Sequence, residues 1–218
     1  MTAGGAEGSM RTVRTFIAIE LDEELRDNLR HIQDRLAEQV APGSVRWVRP
    51  EGIHLTLKFL GDTTVDQVEE VKAALARAAA DVGPFTFTVT GLGCFPNSRR
   101  PRVAWVGIQE LTGTLARLRD AVEEHVAPLG FPTEKRPFSP HLTLGRVHRR
   151  ASKSEVREIG EVVATSTIGI VDEMTVTSVS YIKSDLQPRG AVYTTLSEAA
   201  LPRPGSQDVR GRDRIGDL

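Results

Sequence analysis

Cysteine is almost absent from this 218-residue sequence, which contains Cys94 and no other thiol. A single cysteine excludes an internal disulfide and the zinc sites that combine several cysteines. Long apolar runs are absent too, so the sequence offers no candidate transmembrane helix. The first residues also lack the basic-then-apolar order of a signal peptide. We therefore expect a cytoplasmic protein without redox chemistry.

Neither sign of charge is in clear excess, because 28 basic and 29 acidic residues leave a net charge of −1. This balance excludes a protein that coats nucleic acid through its global positive charge. Any contact with nucleic acid must depend on local groups of basic residues, each of which is, taken singly, typical of a solvated surface. Three such groups are present, at Arg99, Arg100 and Arg102, at Lys135 and Arg136, and at Arg146, Arg149 and Arg150.

Composition predicts where the folded part of the chain begins and ends. Residues 1–10 are small and Gly-rich, and residues 201–218 combine Pro, Gly, Arg and Asp with very few apolar side chains. Both segments are typical of disordered tails. The hydrophobic content of 39% is enough for a core. We therefore expect residues 11–200 to form a single domain.

Hydrophobic periodicity predicts four helices and a series of strands between these tails. Apolar residues recur at spacings of three and four in the helical segments and alternate in the strands, and Gly and Pro mark most boundaries. The predicted helices cover Leu21–Leu36, Val68–Val82, Leu111–Val126 and Ser154–Val163, and the predicted strands cover Val13–Ile19, Arg46–Val48, Ile53–Leu60, Phe85–Val89, Arg102–Ile108, His141–Val147, the vicinity of Ile168, Val176–Ile182 and Ala191–Leu196.

The two halves of the sequence repeat one order of elements. Each contains a strand, a helix, the tripeptide Val-Ala-Pro, a linking stretch and then His-Leu-Thr-Leu. Val40 lies fourteen residues before His54, and Val126 lies fifteen residues before His141. A four-residue match embedded in the same order of elements indicates a duplication. We predict a duplicated α+β lobe, with strands of both halves meeting around one cleft.

Each His-Leu-Thr-Leu motif places an imidazole beside a hydroxyl. Because side chains alternate along a strand, His54 and Thr56 point to one face and the two leucines to the other. His141 and Thr143 follow the same pattern. A lone histidine in a strand is more often structural than catalytic. Two copies at matching positions of a repeat favour a catalytic site.

Two imidazoles that face one pocket suit in-line displacement at phosphorus. One takes a proton from the attacking oxygen while the other gives a proton to the leaving oxygen, and an ordinary pKa of roughly 6.5 permits both states near neutral pH. Thr56 and Thr143 would donate hydrogen bonds to the non-bridging oxygens, whose negative charge grows in the transition state. These four groups supply every role that a metal would fill, so no metal and no cofactor are expected.

The motifs and their flanking residues resemble the 2H phosphoesterases, and within them the bacterial and archaeal RNA 2',3'-cyclic phosphodiesterases once described as 2'-5' RNA ligases. The paired His-x-Thr motifs are the specific part of the resemblance, which covers roughly residues 13–198. Further matching segments are Arg14–Ile19, Val45–Val48, Lys58–Gly61, Pro101–Trp105, Pro140–Arg146 and Gly190–Tyr193.

The resemblance implies an enzyme that hydrolyses RNA 2',3'-cyclic phosphate ends to 2'-phosphomonoesters, with His54 as proton donor and His141 as proton acceptor. It implies a bilobal fold, with two antiparallel sheets and flanking helices around a central cleft, and no metal. Joining of 2'-5' RNA is the same chemistry in reverse. RNA is the expected partner, and a monomer without membrane or obligate protein partners is expected.

Arg146 would contribute to phosphate binding, but strict alternation places it on the opposite face from His141 unless Gly145 forms a bulge in the strand. Two other functions share these motifs. One is a 2H phosphodiesterase that acts on a small cyclic nucleotide or on 2'-5' oligoadenylate, which a panel of cyclic-phosphate substrates would distinguish. The other is a catalytically silent module that binds RNA ends, whose mark would be the loss of a motif histidine or threonine.

The remaining candidate residues are assigned structural roles. Phe16 and Phe59 flank the motifs and could stack on a terminal base, although core packing is the usual role of phenylalanine in apolar strands. Core packing is also predicted for Trp47 and Trp105, a solvent-exposed position for His31, His125 and His148, and a partly buried structural thiol for Cys94.

Overall fold

The computed structural model describes residues 11–187 and 190–203. The expected tail at residues 1–10, and residues 204–218 of the second expected tail, lie outside this range. Most predicted strands are confirmed, and several are longer than the sequence indicated. The strands of the described chain are β1 (Thr12–Glu20), β2 (Val45–Trp47), β3 (His54–Thr64), β4 (Phe85–Phe95), β5 (Val103–Gln109), β6 (His141–Val147), β7 (Ile170–Val176), β8 (Ser178–Gln187) and β9 (Gly190–Ala200).

All four predicted helices are present, and three of them begin at a side-chain cap. The Asp22 side chain accepts a hydrogen bond from the backbone N–H of Leu25, whereas Thr64 and Ser152 each begin a capping box. The third helix begins later than predicted, because Gly113 has a φ of 74° and Leu111, 85% exposed, precedes it. The helices are α1 (Glu23–Ala37), α2 (Val65–Ala80), α3 (Thr114–Val126) and α4 (Lys153–Thr165), with 3₁₀ turns at Pro50–Gly52 and Ala127–Leu129.

The strands form one antiparallel sheet in the order β7-β4-β5-β6-β3-β1-β8-β9, with β2 added to β6. Its two halves are the two predicted antiparallel sheets, and they join where Leu55 of β3 pairs with Leu142 of β6. The halves also exchange strands, because β4 pairs with β5 of the second repeat and β8 pairs with β1 of the first. The two repeats are therefore intertwined, and the Leu55–Leu142 pair lies where they meet.

The main hydrophobic core runs along one face of this sheet. Leu55 and Leu142 are 1% and 0% exposed and pack in the same cluster as the apolar faces of α1, α2 and α3. Truncating a leucine at such a site costs about 2 to 5 kcal/mol of the free energy of unfolding. Because the leucines of both motifs face this core, the histidines and threonines point to the opposite face of the sheet.

The folded part of the chain extends past residue 200, where composition placed its end. Leu201 is 4% exposed, and its backbone N–H donates a hydrogen bond to the Thr177 carbonyl. One apolar residue in a polar segment gave too weak a signal to predict this contact. No helix within residues 11–187 and 190–203 is long and apolar enough to cross a membrane.

Candidate active site

His54 and His141 are the first residues of β3 and β6, the two strands that meet at the centre of the sheet. These strands pair through Leu55 and Leu142. Because His54 and Thr56 flank Leu55, and His141 and Thr143 flank Leu142, this pair places the two His-Thr pairs side by side. The structure thus brings the four predicted residues of the two motifs onto one face, and all four are half-buried.

Backbone carbonyls orient both imidazoles. His141 Nδ1 lies 2.7 Å from the carbonyl oxygen of Ser139, and His54 makes a hydrogen bond with the backbone of Gly52. Each partner lies two residues before its histidine, so both repeats hold their histidine by the same backbone contact. A carbonyl only accepts, so Nδ1 of His141 carries the proton. In the neutral ring, Nε2 then keeps its lone pair for proton transfer.

Aromatic side chains enclose both imidazoles. The Phe16 ring stacks on His54 with centroids 4.5 Å apart, and the Tyr193 ring meets His54 edge-on at 5.1 Å. The Phe95 ring contacts His141 edge-on at 4.7 Å. These contacts remove water from the imidazoles and keep each ring in place.

This enclosure lowers the pKa of both histidines, because burial disfavours the charged form. The pKa of His54 falls from 6.5 to about 4, mainly because the side chain is buried. Its hydrogen bond to Gly52 acts in the opposite direction and raises the pKa. The pKa of His141 is also lowered, again mainly by burial. The positive charge of Arg146 lowers the pKa of both groups further. An anion between the two rings would favour their protonated forms.

A β-bulge brings Arg146 to the same face as the histidines. Trp105 of β5 pairs with Thr143, but the adjacent Ala104 pairs with Gly145, so Leu144 is the extra residue of β6. Leu144 and Gly145 are both buried, and Arg146 is exposed. The sequence analysis placed Arg146 on the face of His141 only if β6 contained a bulge, and the structure contains that bulge.

Glycine is required at position 145 because β2 covers the bulge. A Cβ there would lie 2.6 Å from Cγ1 of Val45 and 2.9 Å from Cε3 of Trp47. The substitution Gly145→Ala would push β2 away from β6. It would also disturb Arg146, the next residue.

β3 has a bulge at the equivalent place. Ile17 pairs with Lys58 and Ala18 with Thr56, which leaves Leu57 as the extra residue. Phe59 therefore occupies the position that Arg146 has in the second repeat. Phe59 is 65% exposed, so the prediction that it packs in the core is wrong. The same prediction is confirmed for Phe16, which is 2% exposed. The bulge explains the error, because it moves Phe59 from the core face to the cleft face.

A buried ion pair supports the site and was not found from the sequence. Lys58 Nζ donates to Glu123 Oε2 at 2.7 Å and to the backbone carbonyl of Pro132. The side chains of Lys58 and Glu123 are 5% and 6% exposed. The pair joins β3 to α3 and to the segment that leads to His141. A lysine inside an apolar strand was the available signal, but its partner is 65 residues away.

The groups that could bind an anion have no side-chain partners in the part of the chain that the structure describes. Across the described residues, the hydroxyls of Thr56 and Thr143 make no side-chain hydrogen bond, and Arg146 makes no ion pair. No group of three or more His, Cys, Asp and Glu side chains in residues 11–187 and 190–203 could hold a metal ion. The remaining histidines lie elsewhere: His31 and His148 are exposed as predicted, whereas His125 is half-buried on α3.

Curated relatives are similar to this chain in sequence, and solved structures are similar to it in fold. The RNA 2',3'-cyclic phosphodiesterase of Methanothermobacter thermautotrophicus is 36% identical over 185 residues, which cover 84% of this chain and 96% of that protein. The enzyme of the same name from Archaeoglobus fulgidus is 34% identical, over 84% of this chain and 98% of the relative. Among crystal structures, the Thermus thermophilus protein TT0787 superposes with a TM-score of 0.73 at 29% identity, over 88% of this chain and 99% of its own. Escherichia coli LigT complexed with 3'-AMP superposes with a TM-score of 0.69 at 26% identity, over 88% and 100%.

The family description matches the chain twice, over residues 19–105 and 106–193. The two matches correspond to the two repeats, each of which contains one His-Leu-Thr-Leu motif. The duplication and the resemblance to 2H phosphoesterases are thereby confirmed. The chain belongs to the family of LigT-like phosphoesterases.

Proposed function

We propose that this protein is an RNA 2',3'-cyclic phosphodiesterase that hydrolyses the cyclic phosphate to a 2'-phosphomonoester. The observation that carries the proposal is the pairing of Leu55 with Leu142, which sets two His-Thr pairs face to face on one surface. Such an arrangement offers a proton acceptor and a proton donor on opposite sides of one phosphorus atom. The shared name of the relatives from Methanothermobacter and Archaeoglobus supports the RNA substrate.

The two histidines divide the proton transfers. His141 accepts a proton from water as the water oxygen forms its bond to phosphorus. The bond from phosphorus to the 3' oxygen breaks on the opposite side, and His54 gives its proton to that oxygen. The product carries a 2'-phosphate and a free 3'-hydroxyl. A 5'-hydroxyl of RNA in place of water would give a 2'-5' linkage by the same steps, and this is the proposed 2'-5' ligation.

Thr56, Thr143 and Arg146 bind the phosphoryl oxygens. Their hydroxyls and guanidinium, which have no side-chain partner among the described residues, donate to oxygens whose charge increases in the transition state. Each such donor is worth about 3 kcal/mol. The negative charge of the cyclic phosphate also opposes the effect of burial on His54. Substrate binding therefore raises the pKa of the donor and supplies it with the proton that it later transfers. No step in this scheme needs a metal or a cofactor.

The test is an RNA oligonucleotide that ends in a 2',3'-cyclic phosphate, incubated with the protein in excess EDTA. We expect complete conversion to a 2'-phosphate, identified by chromatography against 2'- and 3'-phosphate standards. His54→Ala and His141→Ala serve as inactive controls. A 3'-phosphate product would reverse the assignment of the leaving oxygen, and activity that needs added Mg²⁺, Mn²⁺ or Zn²⁺ would contradict the metal-free scheme. Preference for a small cyclic nucleotide over the oligonucleotide would contradict the RNA substrate.

A further inference from the structure

We propose that Arg46 forms a second phosphate site beside Arg146, so that the protein binds two successive phosphates of an RNA strand. Arg146 holds the terminal cyclic phosphate, and Arg46 holds the internucleotide phosphate next to it. This inference rests on the proposed function and adds the residue that would recognise an oligonucleotide over a mononucleotide. It assigns a function to β2, the short strand added to the edge of the second motif.

The pairing of β2 with β6 places the two arginines together. Arg46 and Arg146 are directly opposite each other in this antiparallel pair. Their neighbours Val45 and Val147 pack in a cluster with Ile159 of α4. Because adjacent residues of a strand point to opposite faces, Arg46 and Arg146 point away from α4. The bulge at Leu144 makes this the face of His141.

Within residues 11–187 and 190–203, the two guanidiniums have no neutralising partner. Both arginines are exposed, and neither makes a side-chain hydrogen bond or an ion pair with any residue of the described chain. Like charges directly opposite each other on neighbouring strands destabilise a sheet. A bound strand with one negative charge per nucleotide would relieve this repulsion. The guanidinium also matches the geometry of phosphate oxygens, with which it can form two parallel hydrogen bonds.

The order of the two sites follows from the strands that carry them. Arg146 lies on β6, the strand of His141, and it is close enough for its positive charge to lower the pKa of both histidines. Arg46 lies on the neighbouring strand β2, so we assign it to the next phosphate. The backbone of β2 is fixed by Val45, which is 7% exposed, and by Trp47 against Gly145. Arg46 thus extends from a rigid strand, which limits the entropy lost on binding.

The binding test uses a short single-stranded RNA with a 2'-phosphate end and measures affinity by fluorescence anisotropy at several salt concentrations. Arg46→Ala should weaken binding about tenfold, the effect of one charge-assisted hydrogen bond. It should also reduce the slope of log K against log salt by about 0.7, the value for one phosphate contact with a single strand. Arg77→Ala, which removes an exposed arginine of α2, is the matched control and should leave both quantities unchanged. An unchanged slope in Arg46→Ala would overturn the inference.

Kinetics give a second and independent test. The ratio of kcat/KM for a cyclic-phosphate oligonucleotide to that for the matching 2',3'-cyclic mononucleotide should fall about tenfold in Arg46→Ala. Arg146→Ala should lower both values and leave the ratio nearly constant. Equal losses on both substrates in Arg46→Ala would overturn the second phosphate site. A wild-type protein that hydrolyses neither substrate would refute the proposed function, and the anisotropy slopes would still decide the role of Arg46.

Discussion

Lys58 and Gly145 occupy equivalent positions in the two motif strands, each directly after a bulged leucine, and they hold the neighbouring segments in different ways. Gly145 has no side chain, so β2 approaches and pairs with β6 through its backbone. The corresponding segment of the second repeat contains several prolines, which lack the N–H groups for such pairing. Lys58 instead reaches this segment through its ammonium group, which donates to the carbonyl of Pro132.

Lys58→Met is expected to destabilise the fold and reduce turnover. It leaves the carboxylate of Glu123 buried without its partner, which typically costs about 3 to 5 kcal/mol. The segment before His141 also loses a tether. Urea unfolding and kcat measure the two effects. Lys72→Met is the matched control, because Lys72 pairs with Glu69 at the surface and such pairs contribute about 1 kcal/mol or less. Equal losses in the two variants would contradict a supporting role for Lys58.

Thr56→Val and Thr143→Val should each lower kcat by about tenfold to a thousandfold, the range expected when one transition-state donor is lost. Valine has nearly the same shape, so the free energy of unfolding should change little. Thr86→Val provides the control, since its hydroxyl pairs with Thr175 at an exposed edge of the sheet. Unchanged rates in either motif variant would remove that threonine from the site.

The sequence predicted most of the fold, and also that the four motif residues lie together, because the signals for both are local. Alternation and helical spacing depend on residues a few positions apart, and the repeat doubled the evidence for His54 and His141. The bulges could not be predicted from these local patterns, because a bulge depends on how a strand pairs with its neighbours. The bulges change the direction of Arg146 and Phe59, and also that of Lys58.

Long-range partners were the other part that the sequence could not provide. Lys58 meets Glu123 only after α3 packs beside β3, and Arg46 meets Arg146 only after the linker of the first repeat joins the second motif strand. The pairing of β4 and β8 with strands of the other half also joins segments that are far apart in the sequence. Neither local propensity nor composition indicates which strands become neighbours.

The pH dependence of kcat/KM should be bell-shaped, with its maximum between about pH 4 and pH 6.5. One histidine must be charged and the other neutral, and kcat/KM reports the groups of the free protein. Burial lowers the pKa of His54 to about 4 and brings that of His141 below 6.5. Because the bound phosphate favours charged histidines, the alkaline limb of kcat should lie at higher pH than that of kcat/KM. A maximum of kcat/KM above pH 7 would contradict the enclosed site.

His54 should also make the fold less stable in acid. Its folded pKa of about 4 lies below its ordinary value of 6.5, so the unfolded chain binds more protons between these two values. The free energy of unfolding therefore falls as the pH decreases from 6.5 through 4. Urea unfolding at pH 7 and pH 4.5 should show a smaller decrease for His54→Gln than for the wild type. His31→Gln, at an exposed position on α1, should retain the wild-type decrease.

The roles of the two histidines can be separated by the leaving group. Alanine at either position should nearly abolish hydrolysis of the RNA cyclic phosphate. A leaving oxygen that is a weak base departs without a proton, so an analogue with an activated leaving oxygen should partly rescue His54→Ala. The same analogue should not rescue His141→Ala, which still lacks the group that activates water. Rescue of His141→Ala instead would mean that the two roles are reversed, and rescue of neither variant would contradict proton transfer by this pair.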